Sequence, residues 1–296
     1  MKNTHTLMHG IKLYRRYVRK YNRLKAIHAP LAKLEFLKKR ILKLQHCLCS
    51  VLKPKNIAVT GCMMTASALT AQNYDNAISY PFGMAVLPGT YTCPAVADID
   101  NDGDVDVFTG ESGGNFAYWQ NTGTLTAPAF GSPVGNPFGL TNIGYYSKPV
   151  FADLDNDGDQ DMMSGETYGD FYYFQNTGTA SAPAFAAPVT NPFGLSNAGY
   201  YTTPAFVDLD NDGDLDMLSG LEDGSLIYYQ NTGTVSAPAF AAGITNPFGL
   251  SMGPSVYDSK PAFADLDGDG DQDMLSGDQY GDFYYFLNTG TATAPA

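Results

Sequence analysis

Apolar and polar positions alternate in two different ways along the chain. Between residues 11 and 53, Leu31, Leu34, Leu37, Ile41 and Leu44 fall at helical spacing among Lys and Arg, after Pro30 and before Pro54, which predicts a basic amphipathic helix. An uncharged run follows, Ile57 to Ala71, closing on small residues. Further on, apolar residues come in short runs fenced by turn formers. Phe171, Tyr172, Tyr173 and Phe174, bounded by Gly169 and Asn176-Thr177-Gly178, have strand composition with turns on either side. Pro and Gly recur too closely for long helices.

The second regime is a repeat. Pro94-Ala95-Val96-Ala97-Asp98 returns as Pro149 to Asp153, Pro204 to Asp208 and Pro261 to Asp265, at offsets of 55, 55 and 57 residues. Each copy continues with an Asp-rich loop, an apolar segment ending in Ser-Gly or Thr-Gly, an aromatic segment, an Asn-Thr-Gly-Thr turn and Ala-Pro-Ala. Asn136-Pro137-Phe138-Gly139 and its relatives at 191 and 246 lie between copies, with Tyr80-Pro81-Phe82-Gly83 as an earlier version. Each unit has room for four short strands, and units of this length with four strands are propeller blades. The expected fold is all-β: a β-propeller of four tandem four-stranded blades, about sixteen strands between residues 76 and 296, after a basic leader. The boundaries drawn are 1–72 for the leader, 73–93 for a lead-in strand segment and 94–296 for the repeats, which start near 94, 149, 204 and 261. Ala294-Pro295-Ala296 stands where sibling units continue to Phe185 or Phe240. Either residues 76 to 91 supply a closing strand or the sequence is the front of a longer protein, and the second reading is slightly preferred.

Charge sharpens this division. Residues 1–55 carry 15 of the 17 Lys and Arg and the single acid Glu35, whereas residues 56–296 carry Lys148, Lys260 and 29 acids, so the body stands near −27. Its field repels nucleic acid, and two lysines cannot neutralise a run of phosphates. All four histidines, His5, His9, His28 and His46, lie in the leader, which removes Ser-His-Asp and Cys-His catalysis and histidine-ligated zinc from the body. Ile57 to Ala71, preceded by positive charge and closing on Ala66-Ser67-Ala68 and Ala71, has the length and flanks of a signal-peptide apolar region and is short for a membrane span. Export to the outside or the surface of a cell, bacterial by its style, is therefore expected, with no membrane span in the mature chain. Val59-Thr60-Gly61-Cys62 faintly resembles a lipoprotein cleavage box, but most of the apolar run follows Cys62. Cys93 is the one cysteine after residue 73, so no intrachain disulfide framework holds the body together.

The strongest chemical signal is D-x-D-x-D-G-D-x-D. It reads Asp98, Asp100, Asp102, Gly103, Asp104 and Asp106 in the first unit; Asp153, Asp155, Asp157, Gly158, Asp159 and Asp161 in the second. The third has Asp208, Asp210, Asp212, Gly213, Asp214 and Asp216, and the fourth Asp265, Asp267, Asp269, Gly270, Asp271 and Asp273. Five carboxylates within nine residues repel one another unless a cation lies among them. Ca²⁺ suits them, because it takes six to eight hard oxygen ligands in flexible geometry and the Gly lets the chain turn around it. About four ions, one per repeat, are expected. An EF-hand would need a bidentate Glu at the twelfth position, where Thr109, Ser164, Ser219 and Ser276 stand, and a Pro four residues before each first Asp argues against a flanking helix.

These loops, followed by an apolar pair and Ser-Gly or Thr-Gly and preceded by a Phe-Gly segment, resemble FG-GAP/VCBS-type repeats, found in integrin α-chain propellers and many secreted bacterial proteins. The resemblance covers about residues 76–296. It implies a β-propeller with Ca²⁺ in a hairpin loop of each blade. It also implies side-chain ligands from the first, third, fifth and ninth loop positions and a backbone carbonyl from the seventh, such as Asp104. The chain departs from the family in having Ser-Gly-Glu or a relative where Gly-Ala-Pro is usual, and four repeats where seven are common.

Trp119 aligns with Phe174, Tyr229 and Phe286, and Tyr118 with Tyr173, Tyr228 and Tyr285, positions expected to pack between blades. Tyr145-Tyr146 and Tyr200-Tyr201, next to acids and amides, offer rings on which a sugar can stack. Cys93 shares a slot with Lys148, Thr203 and Lys260 and reads as an incidental exposed thiol. The functional expectation is a non-catalytic, calcium-binding adhesion or binding module whose partner is a glycan or an extracellular protein. The alternatives are a non-catalytic domain of a larger secreted, polysaccharide-acting enzyme, and a spacer.

Overall fold

Each copy of the repeat becomes one small antiparallel sheet. The computed structural model describes residues 81–84, 90–253 and 256–296. The basic leader and the run Ile57 to Ala71, with the helix and signal-peptide expectations placed on them, lie outside the described residues. The Pro-Ala-Val-Ala segment and its relatives form the first strands, β1 (Cys93–Ala97), β5 (Lys148–Ala152), β9 (Thr203–Val207) and β13 (Lys260–Ala264). Segments ending in Ser-Gly or Thr-Gly form the second strands, β2 (Asp106–Gly110), β6 (Asp161–Gly165), β10 (Asp216–Gly220) and β14 (Asp273–Gly277). Aromatic runs form the third, β3 (Phe116–Trp119), β7 (Phe171–Phe174), β11 (Leu226–Tyr229) and β15 (Phe283–Phe286). Two-residue fourth strands, β4 (Val134–Gly135), β8 (Val189–Thr190) and β12 (Ile244–Thr245), complete the first three sheets.

Four such sheets, with first strands as neighbours, make a four-bladed β-propeller. The fourth sheet departs from expectation with three strands among the described residues. Nor do the described parts of the lead-in, residues 81–84 and 90–93, extend it, and Cys93 opens the first strand of blade one. Pro81–Gly83 is a single 3-10 turn, and Phe82 accepts a hydrogen bond from the Phe130 N–H of blade one at 3.0 Å.

That contact reveals what the Pro-Phe-Gly segments do. The Phe of each sits in the left-handed region, at φ 54° for Phe82, 57° for Phe138, 58° for Phe193 and 55° for Phe248. A bulky residue held there is strained, and surrounding structure must hold it. The carbonyls of Phe138 and Phe193 accept from the N–H groups of Phe185 and Phe240 in the following blade, both at 2.8 Å. The turn therefore latches one blade to the next, while its ring packs on the blade it leaves: Phe138 lies edge-on to Tyr118 at 5.0 Å and Phe193 to Tyr173 at 4.9 Å.

Side-chain alternation gives the blades two apolar faces, and blades two and three meet a neighbour on both. Between blades one and two, Phe108, Phe116 and Tyr118 face Met162, Phe174 and Phe185. Between blades two and three, Met163, Phe171 and Tyr173 face Met217, Tyr229 and Phe240. Each fully buried aromatic or Met contributes about 1.5–3 kcal/mol. The expectation that the aromatic run is packing material holds for these positions. At the third junction Leu209, Phe248, Leu250, Phe263, Met274 and Phe286 surround a cavity of about 340 Å³ at the place where Phe185 and Phe240 sit in the earlier junctions. The far face of blade four is open: Phe283 is 77% exposed, although its counterparts Phe116, Phe171 and Leu226 are buried.

Candidate metal centres and central cavity

The acidic loop is the connection of the first hairpin in each blade, between paired residues such as Ala97 and Asp106. Its hydrogen bonds fix its shape. In blade one the Asp102 and Gly103 N–H groups donate to the two oxygens of Asp98 at 3.2 and 3.1 Å, and Asp104 N–H donates to Asp102 Oδ1 at 3.1 Å. The pattern recurs around Asp153, Asp208 and Asp265. Asn101, Asn156 and Asn211 take the left-handed turn that brings the chain round, at φ 55°, 58° and 56°, a conformation Asn tolerates. Gly268 replaces them in the fourth loop.

Folding in this way brings the first, third and fifth aspartates together. Asp98, Asp100 and Asp102 each present an oxygen within 4.8 Å of the others, as do Asp153, Asp155 and Asp157; Asp208, Asp210 and Asp212; and Asp265, Asp267 and Asp269. The seventh-position residues Asp104, Asp159, Asp214 and Asp271 are buried. Their Oδ1 atoms, and the Oδ1 atoms of Asp100, Asp155 and Asp210, are buried without any hydrogen-bond partner. Orphaned carboxylate oxygens are expensive unless something positive meets them. All of them are hard donors, so the residues present fit Ca²⁺.

The ninth-position aspartates sit differently. Asp106 is buried at the start of β2, where its Oδ1 accepts the Asn121 N–H at 2.7 Å and its Oδ2 accepts the Tyr118 hydroxyl at 2.9 Å. Asp161, Asp216 and Asp273 make the same pair of bonds with Asn176 and Tyr173, Asn231 and Tyr228, and Asn288 and Tyr285. Each one ties the loop to the third strand and to the Asn-Thr-Gly-Thr turn.

Burial pushes Asp106, Asp161 and Asp216 up to about 6, against the hydrogen bonds just named. Asp159 is also raised to about 6, by burial first and then by the negative charge of Asp157 and Asp155. These groups keep protons in the folded state that the unfolded chain sheds near pH 4. Their contribution in metal-free protein is thus fully present below about pH 4 and lost as pH rises through about 6. Calcium-free protein is expected to melt at a higher temperature at pH 5 than at pH 7, which a pair of thermal scans in chelator checks.

A further residue escaped sequence reasoning. Gln120, Gln175 and Gln230 donate from Nε2 to Oδ2 of the third-position Asp100, Asp155 and Asp210, at 2.8, 2.7 and 2.8 Å. The signal was available: Gln precedes Asn-Thr-Gly-Thr in three copies and Leu287 replaces it in the fourth. Outer hydrogen bonds that orient a metal ligand are typically worth about 10- to 100-fold in affinity. Gln175→Leu should therefore weaken one site by about tenfold and Leu287→Gln tighten the fourth, read by calcium titration calorimetry.

The second concave feature lies where the blades converge. A cavity of about 690 Å³ is lined by Cys93, the cations Lys148 and Lys260, the acids Glu222 and Asp258, and a set of tyrosines that includes Tyr91, Tyr146 and Tyr201. Tyr146 rings lie 5.3 Å from Tyr91 on one side and 5.3 Å from Tyr201 on the other. Lys148 is only 7% exposed, and its ammonium donates to the Tyr201 carbonyl at 2.7 Å and to Thr203 Oγ1 at 2.9 Å. Burial pushes it down to about 8, opposed by the Asp258 carboxylate. Cys93, expected to be an exposed thiol, is half-buried in this wall, and burial raises its thiol. Of the paired tyrosines, Tyr146 and Tyr201 turn into the cavity, whereas Tyr145 and Tyr200 stay exposed outside its lining.

The model of the FG-GAP-like repeat family matches residues 98–164, 153–219 and 208–276, each match running from one acidic loop to the second strand of the next blade. The chain belongs to the FG-GAP-like repeat family. No curated protein matches it in sequence. Among solved structures it is similar to Sqt1 from Saccharomyces cerevisiae, at 12% identity and a TM-score of 0.38 over 68% of this chain and 46% of that one. It is similar also to BBS1N in its complex with ARL6DN, soaked with lead, at 11% identity and a TM-score of 0.37 over 70% of this chain and 56% of that one. The chain spans about half the length of these two structures. An FG-GAP repeat propeller is a module of the binding or adhesion type, and among the described residues no helix is long and apolar enough to cross a membrane.

Proposed function

We propose that this chain is a secreted or surface-displayed binding module whose four acidic hairpins each hold one Ca²⁺, and that it carries no catalytic activity of its own. The observation that carries the reading is the trio of first, third and fifth aspartates recurring in all four loops with oxygens within 4.8 Å of one another, the third-position Oδ1 being buried without a partner in three of them. The first, third and fifth aspartates would supply side-chain oxygens and the seventh residue its carbonyl, with the ninth aspartate beside them at the root of the second strand. Bound calcium would neutralise the loops and let the hairpins close. Export agrees with it, since extracellular calcium is plentiful. The absence of His and Arg from residues 56–296 supports a binding rather than a catalytic role. Metal analysis of protein purified at millimolar calcium is the test: about one calcium per loop is expected, the fourth loop filling last because it lacks the Gln brace. Loops found empty under those conditions would end the proposal.

A further inference from the structure

The repeat region has only two cations, Lys148 and Lys260, and both line the one central cavity. Against 29 acids such a convergence needs a reason. Four equivalent slots, Cys93, Lys148, Thr203 and Lys260, open the first strands of the four blades, so the slot itself does not demand a cation; Thr203 fills it without one. Lys148 is buried there with two of its three N–H groups tied to neutral oxygens, which leaves the third for a ligand. Desolvating an ammonium is costly; the Asp258 carboxylate in the same lining offsets part of that cost, and an anion delivered beside the ammonium would offset more.

The rest of the wall narrows the chemistry. Tyr91, Tyr146 and Tyr201 form a tilted staircase of rings, and all three hold left-handed backbone at φ 57°, 54° and 61°. Asp258 takes the fourth equivalent place at φ 56°. Tyr91 is 73% exposed, so a ring face remains for a flat apolar surface. Glu222 and Asp258 supply acceptors in the same lining. A ligand that meets this wall has one carboxylate for the lysines, hydroxyls for the two acids and C–H faces for the tyrosines. Its volume must suit a cavity of the size usual for small ligands.

We infer that the central cavity binds an acidic saccharide, a hexuronate residue or short oligomer, with its carboxylate at Lys148 and Lys260 and its ring on the Tyr91–Tyr146–Tyr201 staircase. This rests on the binding-module reading and names the ligand class of that module. Cys93 supplies a built-in reporter, since a ligand in the cavity shields its thiol.

The test uses the full, calcium-loaded chain and three probes: digalacturonate, its methyl ester and the neutral disaccharide maltose. Calorimetry should show digalacturonate binding at least tenfold more tightly than either uncharged probe, and alkylation of Cys93, read by mass spectrometry of its peptide, should slow in its presence. Lys260→Ala and Tyr91→Ala alter exposed side chains and should each cut the affinity tenfold or more. Lys148→Thr places in blade two the residue that blade three already accommodates, and should do the same with an unchanged melting curve. Equal affinity for the methyl ester, affinity untouched by all three variants, or unslowed alkylation at saturating digalacturonate would each overturn the inference while leaving the binding-module reading standing. Failure of all three probes to bind would also overturn it. The calcium content of the same sample judges the metal reading separately.

Discussion

Excess EGTA lowers the melting temperature of the repeat region by about 20 °C or more, the largest effect expected of any change of conditions. One site held at a free calcium concentration 100 times its dissociation constant stabilises the folded state by about 2.7 kcal/mol. A domain of this size shifts by roughly 2–4 °C for each kcal/mol. Three well-braced loops and a weaker fourth therefore add to tens of degrees if the unfolded chain has no affinity of its own. The loss is enlarged by what remains, because each emptied hairpin has five carboxylates in nine residues and orphaned oxygens with nothing opposite them. Magnesium at the same concentration restores little, since it retains its water and demands tighter octahedral geometry. Superimposed melting curves with and without chelator would mean the loops are held by their backbone hydrogen bonds alone.

Gly165→Ala is expected to cost about 3 kcal/mol, the upper end for overpacking a well-filled interior. Gly165 closes β6, and a methyl group on it would collide with the Thr202 carbonyl oxygen of the next blade. Backbone resists this intrusion more than side chain does. Gly110 and Gly220 stand in the same way against the Ser147 and Ser259 carbonyls. The junction at Gly165 is also tied by a hydrogen bond from the Glu166 N–H to Thr202 Oγ1 at 3.0 Å, while within blade two the Lys148 N–H donates to Ser164 Oγ at 2.9 Å. The Ser-Gly pair is therefore a junction device, its hydroxyl holding the first strand of its own blade and its missing Cβ admitting the next blade. Urea denaturation of the variant should show a lower midpoint, and a midpoint equal to that of the parent would show that the blades are not packed this closely. Gly131, around which there is open space, is the natural control.

The blades were legible because the chain states the same pattern four times, and a period near 55 residues with turn formers at fixed offsets leaves little choice of architecture. The acidic loops were legible as a pattern for the same reason; of the positions that the family resemblance groups together, the first, third and fifth aspartates present oxygens within 4.8 Å of one another, while the ninth is bonded to a Tyr and an Asn. What could not be read was anything made by residues from different copies. Lys148 and Lys260 are 112 positions apart (260 − 148), and only the convergence of first strands puts them in one wall. The Pro-Phe-Gly latch was visible as a recurrent string, but its work is a backbone bond to the following blade, to which no side-chain pattern points. The Gln brace lies 20 residues from the aspartate it holds, across a sheet, and was hidden by its place in an ordinary turn.

Blade four has a consequence for how the molecule comes apart. Among the described residues Phe283, Tyr285 and Leu275 are open to solvent, and blade four packs on one neighbour while blades two and three pack on two each. In a linear array of units, cooperativity is shared only between adjacent members, so the free energy of opening rises step by step away from the least supported one. Amide protons of β14 and β15, whose side chains are partly open, should consequently escape to solvent before those of the buried β6 and β7.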